Sequence, residues 1–179
     1  MDLFKRNNKF DLREVRHVDV TEDPVRPELD IEFRTSHGRK VYALYNAGSD
    51  EQLAIICIAY TNDIPRSVEE LDELSRDAHL QSMHRANLVG KIAVAYTVWA
   101  KKKGGGKHIV NEIYKKYRRE QHIDRLITLS PLTDMAYKFH TKNGAKMIQM
   151  NKTTQNFEYN ITLEKWEEYL EKFKNRIAI

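Results

Sequence analysis

Ser130 and His140 are the two side chains whose types and spacing could carry out acid–base chemistry. Ser130 ends the apolar run RLITLS, and His140 follows ten positions later on a predicted short helix. A strand end and the helix after it often face one crevice at the carboxyl edge of a sheet. There, a histidine could exchange protons, and a serine could donate a hydrogen bond to a developing oxyanion or carboxylate. Taken singly, Ser130 could instead cap the next turn, and His140 could be a half-exposed surface residue.

A run of three glycines could bind a phosphate group. The segment KKKGGGK lies between a strongly apolar run and an amphipathic helix, and glycine lets a ligand approach the backbone closely. The first amides of a helix are unpaired and its dipole is positive there, so this junction favours an anion. The glycine spacing matches neither the Walker A nor the dinucleotide-binding pattern, and a flexible, solvated lysine loop is the alternative. The predicted coenzyme contacts in this turn are Lys102, Gly104, Gly105, Gly106, Lys107 and His108.

The segments that would position these residues predict alternating strands and helices. The run LDIEFRT alternates like a half-buried strand, and KVYALYN with QLAIICIAYT predicts a β-hairpin joined by AGSDE. Ser67 and Glu70 form a capping box that opens a helical region running, with a break, to about His84. The run GKIAVAYTVWA is apolar on both faces, which predicts a central strand.

The second half of the chain continues this alternation. After the glycines comes a helix, then the strand RLITLSP, then a short helix from about Asp134 to Asn143–Gly144, and then the strands AKMIQM and QNFEYNITL. A last helix spans 163–179, and the first 30 residues are expected to form a charged arm with a short helix and an extended part. This order predicts an α/β (α+β) fold with one mixed sheet between helices, in a single domain over 1–179. The last helix carries an apolar stripe of Leu163, Trp166, Leu170, Phe173 and Ile177.

Composition narrows the classes of protein and ligand. The chain has 179 residues and a net charge of +4, a mild excess that favours a small polyanionic ligand over nucleic acid. No apolar run approaches the roughly 20 residues that cross a membrane, so we expect a soluble, cytoplasmic protein. Cys57, the only cysteine, lies in an apolar run and is expected to be a buried, inert thiol. No spacing of His, Cys and carboxylates predicts a metal site.

One segment resembles a helix of the GNAT fold, and four blocks of sequence resemble a single family within it. AYKFHTKNGAKMI resembles the helix that closes GNAT acetyltransferase domains, with the pattern A-x-x-[LF]-Y-x-x-x-G-[FA], and His140 stands where that pattern has tyrosine. FHTKNGA and TLSPL are similar to F-H-x-x-N-G-A and T-L-S-P-I-P of malonyl-CoA decarboxylases. VYALYNAGSDEQLAIICIAYTNDIPRSV and AYTVWAKKKGGGKHIVNEIYKK resemble further blocks of that family in the same order. The resemblance covers roughly residues 39 to 160.

This resemblance implies a GNAT-like fold that acts on an acyl-coenzyme A and needs neither a metal nor biotin. The family's catalytic serine and histidine fall on Ser130 and His140. The family separates the two motifs by a long stretch, whereas ten positions separate them here. The backbone of a strand segment is expected to pair with the pantetheine arm, and the glycine turn is expected to hold the pyrophosphate. Beyond that turn, the expected coenzyme contacts are Thr97, Val98, Trp99 and Asn143.

Three functions are compatible with these residues and with the predicted fold. The leading hypothesis is decarboxylation of malonyl-CoA, or a related acyl-CoA, to acetyl-CoA and carbon dioxide. One alternative is an N-acetyltransferase on the same fold, for which Asp134 or a glutamate of the preceding helical region could serve as base. The other is a non-catalytic acyl-CoA-binding module, either regulatory or dimeric through the C-terminal apolar stripe.

Overall fold

The computed structural model describes residues 9–84 and 90–162, together with Glu167, Glu171 and Lys174. Within these ranges the chain forms eight strands and four helices. The strands are β1 (Phe10–Val15), β2 (Lys40–Asn46), β3 (Gln52–Thr61), β4 (Ile92–Ala100), β5 (Arg125–Thr128), β6 (Ser130–Pro131), β7 (Lys146–Met150) and β8 (Thr154–Tyr159). The helices are α1 (Ile31–Thr35), α2 (Val68–His84), α3 (Gly105–Tyr117) and α4 (Asp134–Lys142).

The eight strands form one mixed sheet. Strands β1 to β4 are antiparallel neighbours in chain order, and β4 and β5 are parallel. Strand β8 is antiparallel to β5 and β6 along one edge and to β7 along the other. The predicted fold class is therefore confirmed, and β4 occupies the central position that its apolar sequence predicted.

Helices cover both faces of the sheet. Alternate residues of a strand point to opposite faces, so Ile56 of β3 packs in the same cluster as Ile109 and Ile113 of α3. On the other face, Ile55 packs in a cluster with Leu71 of α2. The central strands β3 and β4 are thus buried on both faces.

Three predictions about local structure are wrong. LDIEFRT forms helix α1 rather than a strand, because the Asp30 carboxylate accepts a hydrogen bond from Phe33 N at 2.8 Å and caps a helix too short to show helical periodicity. The charged arm contributes the edge strand β1, paired with β2, and the described part of residues 1–30 contains no short helix. Helix α2 runs to His84 without the expected break. The C-terminal apolar stripe lies outside the described residues.

The RLITLSP strand is divided in two. Strand β5 ends at Thr128 and β6 begins at Ser130, with Leu129 between them. The hairpin β2–β3, the Ser67 cap of α2 and the end of α4 before Gly144 agree with the predictions. Gly144 has a φ of 96°, a left-handed conformation that ends the helix.

A buried ion pair ties the N-terminal segment to the sheet. The Asp23 carboxylate lies 2.6 Å from the Arg34 guanidinium, and both side chains are excluded from solvent. The other oxygen of Asp23 accepts a hydrogen bond of 2.6 Å from Thr97 of β4. The chain between β1 and α1 is therefore fastened to the centre of the sheet rather than extended into solvent.

Two further predictions concern Cys57 and membranes. Cys57 is fully buried in β3, and burial raises the pKa of its thiol to about 11, which keeps the sulfur protonated and unreactive near neutral pH. Among the described helices, none combines the length and apolar character that a membrane span requires.

Candidate active site

A cleft opens where β4 and β5 separate. The parallel ladder between them covers only Ile92–Ala95 of β4, and its last link is the hydrogen bond of 2.9 Å from Leu129 N to Ala95 O. Tyr96 is an extra residue in β4 with no partner in the β3 register, a bulge that turns the rest of the strand. Beyond it, β4 pairs only with β3 in the described structure, and a cleft of about 590 Å³ lies beside its free edge.

Ser130 and His140 meet at the wall of this cleft. The Ser130 hydroxyl oxygen lies 3.1 Å from His140 Nε2, and the two residues are only 5% and 6% exposed. Thr133 rather than Ser130 caps α4, since its hydroxyl accepts a hydrogen bond from Ala136 N. The short connection after β6 lets the second turn of α4 return over Ser130. The structure therefore brings together the two residues expected to carry the chemistry.

Tyr159 is a third member of the cluster. Its hydroxyl lies 2.9 Å from His140 Nδ1, and the ring of Phe157 stacks on the imidazole with centroids 5.0 Å apart. The sequence prediction missed both residues. The alternation of β8 was the available signal, because Phe157 and Tyr159 are two apart and therefore share one face of the strand.

Burial fixes the protonation states of this cluster. Removal from water lowers the pKa of His140 to about 4, so the imidazole is neutral at physiological pH. Burial also raises the pKa of Tyr159, which keeps its hydroxyl protonated. The site therefore holds a neutral imidazole between two hydroxyl groups.

The same contacts form a chain of hydrogen bonds that can run in either of two directions. If the Tyr159 hydroxyl donates to His140 Nδ1, the Nε2–H donates to Ser130, whose hydroxyl donates to Thr128 Oγ1 at 3.1 Å. Thr128 Oγ1 also accepts from Phe157 N at 3.2 Å. The reverse tautomer, with Ser130 donating to Nε2, uses the same contacts. In either direction, a proton can pass between the cleft and Tyr159.

Apart from this cluster, the lining of the cleft is largely apolar and its other polar residues are uncharged. Of the described residues that line it, none carries an Asp, Glu, Lys or Arg side chain. Asp134, the base considered for acetyl transfer, is exposed and does not line the cleft. The apolar part of the lining includes Pro24, Val25, Ile56, Ala95, Val98, Val110, Ile113, Leu126, Leu129, Met135, Ala136 and Phe139.

The predicted coenzyme contacts divide between two clefts. The main cleft is lined by Thr97, Val98, Trp99, Gly104 and Gly106. A second cleft of about 570 Å³ lies between α3 and the end of α4, and its lining includes Lys107, His108 and Asn143. Both clefts share Val110 and Tyr159, so they are adjacent. Lys102 and Gly105 line neither, and Lys102 pairs instead with Glu51 at 3.3 Å.

The three glycines have different structural roles. Gly104 has a φ of 83°, the left-handed conformation that glycine adopts without strain. Gly105 packs on the backbone of β3, because a Cβ atom there would lie 2.2 Å from Leu53 O. Its amide donates to Lys102 O at 3.0 Å and so is not available to a ligand. Gly106 has room for a Cβ, in ordinary contact with the ring of Phe139.

The amides of Gly106 and Lys107 are free at the start of α3. Neither donates a backbone hydrogen bond to another described residue, as expected for the first turn of a helix. Together with the positive end of the helix dipole, they make an anion-binding position beside the main cleft. In the described part of the chain, no three His, Cys, Asp or Glu side chains lie close enough to hold a metal ion.

Comparison with known proteins identifies the fold. No family model and no curated protein match the chain. Among solved structures, malonyl-CoA decarboxylase from Rhodopseudomonas palustris matches with a TM-score of 0.55 and 16% identity, over 92% of this chain and 60% of that one. The GNAT-like decarboxylase GphF, in complex with isobutyryl-CoA, matches with a TM-score of 0.58 and 11% identity, over 84% and 99%. An acetyltransferase from Bacillus subtilis in complex with CoA matches with a TM-score of 0.56 and 10% identity, over 85% and 99%.

The matches differ in how much of each partner is covered. The chain spans only 60% of the Rhodopseudomonas palustris decarboxylase and 33% of the malonyl-CoA decarboxylase from Cupriavidus metallidurans. It spans nearly all of GphF and of the Bacillus subtilis acetyltransferase. The mixed sheet with its flanking helices therefore has a GNAT-like fold, a fold that is shared by the decarboxylases and the acetyltransferase that match it.

Proposed function

We propose that the chain is a malonyl-CoA decarboxylase-like enzyme, which converts malonyl-CoA or a related acyl-CoA to acetyl-CoA and carbon dioxide. The observation that carries this proposal is the buried, neutral Ser130–His140 pair in a cleft whose described lining has no charged side chain. That arrangement suits a reaction that loses a carboxylate and generates an enolate. It suits less well a reaction that must take a proton from an ammonium group.

The coenzyme would bind along the free edge of β4. Thr97, Val98 and Trp99 would offer backbone groups to the amides of the pantetheine arm, as an added strand does. The free amides of Gly106 and Lys107 would hold the pyrophosphate. The second cleft, with the Lys107 ammonium and the Asn143 amide in its lining, would receive the nucleotide end.

Decarboxylation breaks the bond between the carboxylate carbon and Cα. Its electron pair stays on Cα as a thioester enolate, and carbon dioxide leaves. Ser130 and the Nε2–H of His140 would donate hydrogen bonds to the enolate oxygen, where the negative charge collects. Cα then takes one proton, which the Tyr159–His140 chain can supply and solvent restores. The balance is one proton consumed for each carbon dioxide released.

The apolar lining promotes the same step. A carboxylate loses much of its hydration in such a cleft, and no described lining residue offers a cation in exchange. The charge is better stabilised once it has moved to the enolate oxygen beside Ser130 and His140. The site would therefore favour the transition state over the bound carboxylate.

Amine acetylation makes a different demand on the site. An ammonium acceptor must lose a proton, and the described lining offers neither a carboxylate nor a strongly basic group. Asp134 is exposed and does not line the cleft. These observations favour decarboxylation over acetyl transfer.

Incubation of the purified protein with malonyl-CoA tests the proposal. We expect acetyl-CoA and carbon dioxide in equal amounts, and a fall in kcat of about a hundredfold or more in Ser130→Ala and in His140→Ala. Ser75→Ala, in α2, and His122→Ala, an exposed residue, are matched controls that should keep wild-type kcat. The protein could instead convert acetyl-CoA and an amine to acetylated amine and free CoA, and release no carbon dioxide from malonyl-CoA. That result would reject decarboxylation in favour of acetyl transfer. If the protein binds CoA but turns over neither thioester, we would conclude that it is a non-catalytic acyl-CoA-binding module.

A further inference from the structure

Gln155 of β8 holds the connection between the two proposed catalytic residues. Its side chain is only 3% exposed, and its Nε2 donates hydrogen bonds to Pro131 O at 2.9 Å and to Thr133 O at 3.1 Å. Those two carbonyls belong to the three residues that join Ser130 to α4. Gln155 does not line the main cleft, so it can affect the site only through the backbone that it holds.

The carbonyl of Thr133 links this amide to helix α4. Thr133 O also accepts from Tyr137 N at 3.2 Å, which is the first hydrogen bond of the helix. One side-chain amide thus bridges the start of α4 and the end of β6. Because His140 lies on the second turn of α4, a shift at Thr133 moves His140 relative to Ser130.

Asn156 performs the matching role on the other side of Ser130. It is fully buried, and its Nδ2 donates to Thr128 O and to Pro65 O, each at 3.0 Å. The backbone ladder between β8 and β5 ends at Ile127, and the ladder with β6 begins at Ser130. Side-chain amides therefore hold the backbone where β5 turns away from β4 and the cleft opens.

We propose that Gln155 is a positioning residue that sets the Ser130–His140 contact. This inference rests on the proposed function for its effect on rate. The ten-residue spacing leaves little chain between the two side chains, so their distance depends on how residues 131–133 are held. A misplacement of about 1 Å at a reacting group can cost about a hundredfold in rate.

A purely structural role and a positioning role predict different kinetics. If Gln155 only anchored a loop, its loss would lower the melting temperature and leave the folded enzyme's kcat unchanged. If it positions Ser130 and His140, kcat falls much more than the affinity for CoA, because most of the proposed coenzyme contacts lie on β4 and at the start of α3. The comparison needs a second buried polar group, outside the lining of the cleft, whose loss affects stability alone. Ser75 provides that control, because it is buried, does not line the cleft, and forms hydrogen bonds with Arg39 and Asp72.

The first experiment measures kcat, the Kd for CoA and Tm in the full chain. For Gln155→Leu, which keeps the bulk and removes the amide, we expect kcat to fall at least tenfold and the Kd for CoA to change less than twofold. Gln155→Glu should behave similarly, because a carboxylate cannot donate to either carbonyl. Ser75→Ala should lower Tm and keep kcat. An unchanged kcat in both Gln155 variants would overturn the positioning role.

The second experiment does not depend on turnover. Nitrogen-15 NMR of the His140 imidazole follows its titration, and the pKa in the wild type should be close to 4 because the ring is buried. Loosening of residues 131–133 in Gln155→Leu should admit water and move that pKa toward 6.5. The His140 titration could shift in Gln155→Leu although the wild type releases no carbon dioxide from malonyl-CoA. That result would reject the proposed function and support the positioning role. An unshifted titration would reject the positioning role.

Discussion

Burial suits His140 to the catalytic role proposed for it. An exposed imidazole is partly charged near neutral pH, whereas burial lowers the pKa of His140 to about 4. A neutral ring can accept a hydrogen bond on one nitrogen and donate on the other, which the contacts with Tyr159 and Ser130 require. The hydrogen bonds of the site therefore require a neutral His140.

The same burial predicts a pH-dependent stability. Between pH 6.5 and pH 4 the unfolded chain binds a proton at His140 and the folded chain does not, so stability falls as the pH falls through this range. From pH 7 to pH 5 the wild type should lose about 2 kcal/mol more than His140→Asn, since each unit of pKa difference corresponds to about 1.4 kcal/mol. Urea unfolding at the two pH values measures this difference. Equal losses in both proteins would mean that His140 is not neutralised by burial.

The sequence identified Ser130 and His140 but not the residues that hold them. A serine before proline and a histidine on a short helix are recognisable by type, and their places at a strand end and on the following helix predicted their pairing. Gln155 and Tyr159 act through contacts across the sheet, and the register between β8 and β6 cannot be deduced from local sequence. Only the shared face of Phe157 and Tyr159 could have been anticipated.

At the scale of elements, strong periodicity was a good guide and short segments were not. The hairpin β2–β3, the central strand β4 and the helices α3 and α4 follow from hydrophobic pattern and caps. Helix α1 was mistaken for a strand because five residues span little more than one helical turn. The break at Leu129 escaped prediction because side chains of β8, not a local breaker, interrupt the ladder.

The junction of β4 and α3 gives a prediction that separates two adjacent glycines. Gly105→Ala should lower the free energy of unfolding by about 3 kcal/mol or more, because its Cβ would overlap the backbone oxygen of Leu53. Gly106→Ala should stay within about 1 kcal/mol of the wild type, since its Cβ meets only the Phe139 ring at contact distance. It should nevertheless weaken CoA binding, because Gly106 lines the main cleft. Urea unfolding and calorimetric titration with CoA measure the two effects, and equal destabilisation by both variants would contradict this packing.

At the scale of the whole molecule, the N-terminal segment forms part of the site. Asp23 joins Arg34 to Thr97 of β4, and the adjacent Pro24 and Val25 line the main cleft. The sequence suggested only a charged arm, because the partners of Asp23 lie far along the chain. The wall of the cleft is therefore assembled from distant segments, and local patterns do not report such contacts.

This arrangement predicts strong coupling between Asp23 and Arg34. Arg34→Met alone leaves a buried carboxylate without its cation and should cost about 3–5 kcal/mol, and Asp23→Asn should have a comparable cost. The double variant should lose clearly less than the sum of the two, because neither charge is left unpaired. Urea unfolding of the four proteins forms the thermodynamic cycle. Additive losses would show that the pair does not act as a unit.

A cleft without charged side chains in its described lining gains little affinity from the carboxylate of a malonyl group. Under the proposed function, most of the binding free energy would come from the coenzyme portion, which malonyl-CoA and acetyl-CoA have in common. The product would then compete with the substrate on nearly equal terms. Turnover in the cell would follow the ratio of malonyl-CoA to acetyl-CoA more closely than the concentration of malonyl-CoA alone, so that accumulation of product restrains the enzyme without a separate regulatory site.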